Sequence, residues 1–155
     1  KMRDAIDNVR RMREAVGDDI DLCIELHRRL TPAEAVVFAR GVEEFTPMFL
    51  EDPIRPEGPD GMVRVADKIH IPIATGERFS TIYEFQALIA KGGVEYARVD
   101  LCLCGGITGA RKVAALAEAF HDHPAQSAVT DWPCCLSATR RIHPEFRNSG
   151  ICDRI

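Results

Sequence analysis

No stretch of this 155-residue chain approaches the roughly 20 consecutive apolar residues that a membrane-spanning helix needs. Nor is there a surplus of positive charge. Lys and Arg number 20 against 24 Asp and Glu, for a net charge of -4, which argues against nucleic-acid or anionic-membrane partners, since both require a clustered basic surface. The opening "KMRDAIDNVRRMREAVG" has an amphipathic pattern, not that of a signal peptide. The six cysteines form no C-x-x-C pair and no regular framework, so reduced thiols are expected and a zinc site is not. These absences leave an acidic, cytoplasmic, globular protein as the expectation.

What the chain does have is repetition. Met2, Ala5, Ile6, Val9, Met12 and Val16 recur at helical spacing, and Gly17 stands where that helix would stop. "DIDLCIEL" then reads as a buried strand. In "TPAEAVVFARGVEEF", Thr31 caps a helix, Pro32 takes its first position and Glu34 completes a capping box. The unit recurs as "PMFLED" with "GPDGMVRVADKI", as "IPIATGE" with "TIYEFQALIAKGG", and as "VEYARVDLCL" with "GITGARKVAALAEAFH". Thr81 and Glu84 form another capping box, and Val113, Leu116, Ala117 and Phe120 share a helix face. Strands alternating with helices at this pitch predict an α/β fold with a parallel sheet covered on both faces. Beyond residue 121 neither period persists.

The first three strands each end in an acid: Glu25 in "CIELH", Glu51 in "FLEDP" and Glu77 in "ATGER", separated by 26 residues each time. Strand ends are often acidic for solubility alone. Three in equal register are a different matter, because a parallel barrel would gather them on adjacent strands at the C-terminal rim, where barrel active sites lie. Such carboxylates repel one another unless a cation sits between them, and an all-oxygen set suits Mg²⁺. His27 follows Glu25 by two residues, so strand alternation would turn it to the same side, as a candidate general acid.

Through "ELHRRLTPAEA", "FLEDPIRPE", "PIATGERF" and "VDLCLCGGITGARKVAALAEAF", residues 1–121 resemble the enolase superfamily, in its mandelate racemase branch and the galactonate- and mannonate-type acid-sugar dehydratases within it. The resemblance implies a partial TIM (β/α) barrel, about strands three to six of eight. It makes Glu25, Glu51 and Glu77 the Mg²⁺ ligands, although the first is more commonly Asp in this branch. It makes His27 the acid that expels the leaving hydroxyl, and Asp100 the partner of a base histidine one strand later. The implied reaction removes the α-proton of a small sugar acid and eliminates water to leave a 2-keto-3-deoxy acid. Racemisation or cycloisomerisation on the same fold, or a non-catalytic remnant, are the alternatives. Complete members are commonly homo-oligomers.

The motif expected to carry the base is not found: "HDHPAQSAV" stands in its place. Read one nucleotide forward, Asp122 to Val129 can spell "ITPHNPL" and Phe146 to Arg154 "FAIQEYATG", so residues 122–155 are expected to be an irregular tail produced by a frameshift. The N-terminal capping domain and first barrel strands of the family are likewise not expected within this chain. On this reading the chain is marginally stable and turns over little or no substrate. Gly105 and Gly106 read as a tight strand-to-helix turn, and Cys102 and Cys104 as core residues of a buried strand. Arg28, Arg29 and Arg78 sit beyond the ligands, where they would be solvated or meet a substrate carboxylate.

Overall fold

The computed structural model describes residues 1–120 and 128–130. Helix α1 (Met2–Val16) leads into β1 (Cys23–Glu25), α2 (Pro32–Val42) with a 3-10 turn at Glu43–Phe45, and β2 (Phe49–Glu51). Then come α3 (Pro59–Ala66), β3 (Ile73–Thr75), α4 (Ile82–Ile89), β4 (Tyr96–Arg98), α5 (Gly106–Ala119) and β5 (Ala128–Thr130). The strands lie side by side in chain order, all parallel. This is the α/β arrangement of a partial barrel, with each helix returning the chain to start the next strand in the same direction. Among the described residues no helix is long and apolar enough to cross a membrane.

The register follows from burial. Leu50 pairs with Ile24 on one side and Ile73 on the other, so these residues turn to the helices, where Leu50 and Ile73 are fully buried. Phe38, Met62, Val65, Phe85, Leu88, Val113 and Ala117 meet them from the helix layer. Cys23 and Glu25 pair with Phe49 and Glu51, and these residues, with Tyr96 and Arg98, occupy the opposite face. There the Phe49 and Tyr96 rings stand 5.2 Å apart. Both anticipated capping boxes form: Glu34 Oε2 accepts from the Thr31 N–H at 2.9 Å, and Glu84 Oε2 from the Thr81 N–H at 2.8 Å.

Three details depart from the sequence reading. The strands have three residues each, because the chain turns as soon as the ladder ends. The fourth stops at Arg98, and residues 101–104 form a turn pinned by Asp100, whose carbonyl accepts from Leu103 and Cys104. Cys102 is therefore exposed in that turn instead of core, whereas Cys104 is buried as expected. Finally, Ala128–Thr130 add a fifth strand within the stretch that shows neither period, pairing Tyr96 with Ala128 and Arg98 with Thr130. The remainder of that stretch, with His121, His123 and the two frameshift words apart from Ala128 and Val129, lies outside the described residues. Gly105 and Gly106 do make the tight turn, at φ 93° and 69°.

At the opposite end of the sheet, Glu95 Oε2 accepts the Ile73 N–H at 2.7 Å, and burial pushes its carboxyl above the ordinary 4.5. A folded pKa above the unfolded one means that the native state holds the proton longer. Stability from this group should therefore be greatest below 4.5 and fall as pH rises through the raised folded value. Glu95→Gln keeps an acceptor for Ile73 and removes the titration. Urea midpoints between about pH 4 and pH 8 should decline less steeply in the variant; equal slopes would refute the assignment.

Candidate metal centre at the rim of the sheet

Glu25 and Glu51 end adjacent strands and pair directly in register. Glu51 is in turn level with Ala74, and Glu77 lies two residues past the end of β3, beyond Gly76. All three anticipated acids thus stand at the C-terminal ends of successive strands. A fourth, Asp52, joins them, buried to 1% exposure. It curls inward because its backbone is left-handed at φ 43°, a conformation that Asp tolerates better than most residues.

His27 reaches the rim by a different route from strand alternation. The strand has ended at Glu25, and His27 and Arg28 are both left-handed, at φ 50° and 62°. The reversal is held by the His27 N–H on Glu25 Oε1 at 2.5 Å and the Arg28 N–H on the Asp52 carbonyl at 2.7 Å. His27 Nδ1 ends 3.9 Å from Glu25 Oε1. Arg28 Nη2 lies 3.1 Å from His27 Nε2, which brings the guanidinium alongside the imidazole.

Two arginines lean into the acids. Arg28 Nη1 donates to Asp52 Oδ2 at 2.7 Å and also to Glu77 Oε1, and Arg98 Nε donates to Glu51 Oε1 at 2.7 Å. Thr75 Oγ1 donates to Asp52 Oδ1 at 2.5 Å. Burial pushes the Glu25, Glu51 and Asp52 carboxyls upward. Hydrogen bonds and the arginines oppose this, and neighbouring carboxylates add to it: Glu25 feels Glu51, Asp52 and Glu77. Four carboxylates against two guanidiniums leave an excess of negative charge.

That excess, on oxygen donors alone, fits a hard divalent cation. Glu25, Glu51 and Glu77 are the residues that would hold it. As the side chains are turned, no three His, Cys, Asp or Glu among the described residues gather on one point, since Glu51 and Glu77 face arginines. Asp100 is engaged in its own turn: its Oδ1 accepts the Cys102 N–H at 2.7 Å after β4. Of the functional residues that sequence reasoning missed, Arg98 was within reach, because period-two alternation from Tyr96 puts it on the face of Glu51. Asp52, adjacent to a candidate ligand, reads as a surface acid until its left-handed backbone is seen.

The fold has counterparts among known proteins. The enolase C-terminal domain-like family matches residues 1–154. A D-galactonate dehydratase family member of Enterococcus gallinarum (strain EG2) is 40% identical over 119 residues, which are 77% of this chain and 30% of the relative. A D-galactonate dehydratase of Cronobacter sakazakii is 36% identical over 120 residues, covering 77% and 31%. The chain therefore spans about a third of the length of these curated relatives. Among solved structures, a racemase from Streptomyces coelicolor A3(2) with bound magnesium superposes with a TM-score of 0.79 at 30% identity, over 84% of this chain and 35% of that one. Matched along almost its whole length, the chain belongs to the enolase C-terminal domain-like family.

Proposed function

We propose that this chain carries the metal-binding rim of a Mg²⁺-dependent sugar-acid dehydratase of the galactonate type, acting on a small-molecule acid to give a 2-keto-3-deoxy product. The observation that carries this reading is the placement of Glu25, Glu51 and Glu77 at the ends of three successive parallel strands, within a group of four carboxylates that meets two guanidiniums. The names of the dehydratase relatives support the substrate class.

When bound, a divalent cation supplies positive charge that favours loss of a proton beside the substrate carboxylate. Glu25, Glu51 and Glu77 would fix its place, and Asp52 with Arg28 hold the β2 and β3 ends against each other. His27, exposed beside Glu25, would be the acid that hands a proton to a departing hydroxyl. Asp100 would orient a base histidine from the next strand, and no such histidine is among the described residues. In this reading residues 1–121 are the retained barrel sequence and 122–155 its frameshifted remainder, of which Ala128–Thr130 still pair with β4.

Calorimetric titration of the chain with Mg²⁺ tests the reading. Binding is expected, at least about tenfold weaker in Glu51→Gln; absence of binding in both would overturn it. A second reading, racemisation, draws on the magnesium-bound racemase neighbour. In D₂O, a dehydratase releases a keto acid, whereas a racemase exchanges the α-proton of its substrate without loss of water.

A further inference from the structure

A cavity of about 980 Å³ opens between the loop after β1 and the first turn of α3. Arg28, Arg29, Arg55 and Arg64 line it, and the acid facing them is Asp60. Arg28 is committed to Asp52 and Glu77. Asp60 is committed as well, since Lys91 Nζ lies 2.5 Å from its Oδ1. Arg64 feels the charge of Asp60 through space, but among the described residues Arg29, Arg55 and Arg64 make no ion pair.

The core holds the backbone positions of these three residues in fixed relation. Leu30 and Ile54 form a parallel bridge, which ties the residue after Arg29 to the residue before Arg55. Ile54 is buried, and a Cβ placed on Gly61 would lie 3.3 Å from its Cδ1, so the turn of α3 that carries Arg64 packs directly on the same bridge. The arrangement is set by the core, not by a flexible surface loop. Gly58, at the α3 N-terminus, lines the cavity too and receives no side-chain cap, adding partial positive charge.

We propose that this cavity is a binding site for a phosphoryl-type oxyanion, held by Arg29, Arg55 and Arg64. It adjoins the acid cluster through Arg28 and is opposite to it in charge. Guanidinium forks match the oxygens of a tetrahedral dianion, and the volume leaves room for an organic group attached to the phosphate. Free phosphate and a phosphomonoester share this chemistry.

The test is calorimetry on the full chain with chelator present and ionic strength held constant by chloride. Inorganic phosphate and glycerol phosphate are titrated separately. Saturable binding tighter than about 1 mM is expected, weakened severalfold in Arg55→Gln or Arg64→Gln and at least tenfold in the double variant. Arg55→Lys, which keeps the charge but loses the fork, should fall between. Tighter binding of glycerol phosphate would identify an ester as the natural ligand, and equal binding would identify phosphate itself. Because Arg55 and Arg64 are exposed, melting temperatures of the variants should match the parent. No saturable heat for either anion, or heat unchanged in the double variant, would overturn the proposal.

Discussion

Replacing Asp52 with alanine is expected to cost about 3–5 kcal/mol, the range seen when one partner of a buried ion pair is removed. The carboxylate is almost wholly enclosed and accepts from both Thr75 and Arg28. Its loss strands a hydroxyl and a half-buried guanidinium where water cannot reach both. Alanine would also inherit a left-handed backbone at φ 43°, which a Cβ-bearing residue without a polar side chain adopts at further cost. Asparagine is the informative contrast. Burial pushes the Asp52 carboxyl upward despite Arg28, so its charge is held at a cost, and a neutral side chain that still accepts from Thr75 and tolerates φ > 0 should lose no more than about 1.5 kcal/mol. Urea unfolding of the two variants separates the cases. Equal losses would mean that Asp52 acts through its charge alone.

A comparable effect is expected at Gly76. Its φ of 127° lies where only glycine is comfortable, and a Cβ there would come within 2.6 Å of Phe85 Cε1 and 2.9 Å of the Arg98 carbonyl. The ring is wedged edge-on against Phe79, with centroids 5.1 Å apart, and the carbonyl belongs to β4, so neither can retreat cheaply. Overpacking and backbone strain together give about 2–5 kcal/mol for Gly76→Ala. The substitution should also displace Glu77, the next residue, and so weaken Mg²⁺ binding beyond what lost stability explains. Adding Phe85→Leu makes room for the methyl but leaves the backbone strained. Partial recovery of the urea midpoint in the double variant would confirm that both causes operate; none would rule out the clash.

The 26-residue spacing of Glu25, Glu51 and Glu77 was enough to place three acids at neighbouring strand ends, because parallel βα units of equal length must repeat their register. Capping boxes at Thr31 and Thr81 were legible for a similar reason: their partners lie three residues away, and no tertiary contact intervenes. Side-chain pairing across strands was not. Nothing local distinguishes Arg28, which is tied to two acids, from Arg29, which has no such partner among the described residues. That difference arises only once successive left-handed residues aim one guanidinium inward. Strand ends failed for the same reason, since Asp100 looks like a continuation of β4 until its own side chain and carbonyl are seen closing the turn.

Adjacency in this molecule follows the chain: each strand pairs with the next in sequence, and each helix packs chiefly on its immediate successor. Such an arrangement behaves as a linear array, in which stability is the sum of what each unit contributes and what it shares with the one beside it. Opening then propagates inward from a margin, and a defect is felt by its neighbour more than by the far side. The acid cluster straddles β1, β2 and β3, three consecutive units, and a cation bridging them would act as a clamp across two of those junctions at once. Were a cation bound there as proposed, ligand binding and cooperativity would be one quantity, and occupancy of the rim would set how much of the array unfolds as one.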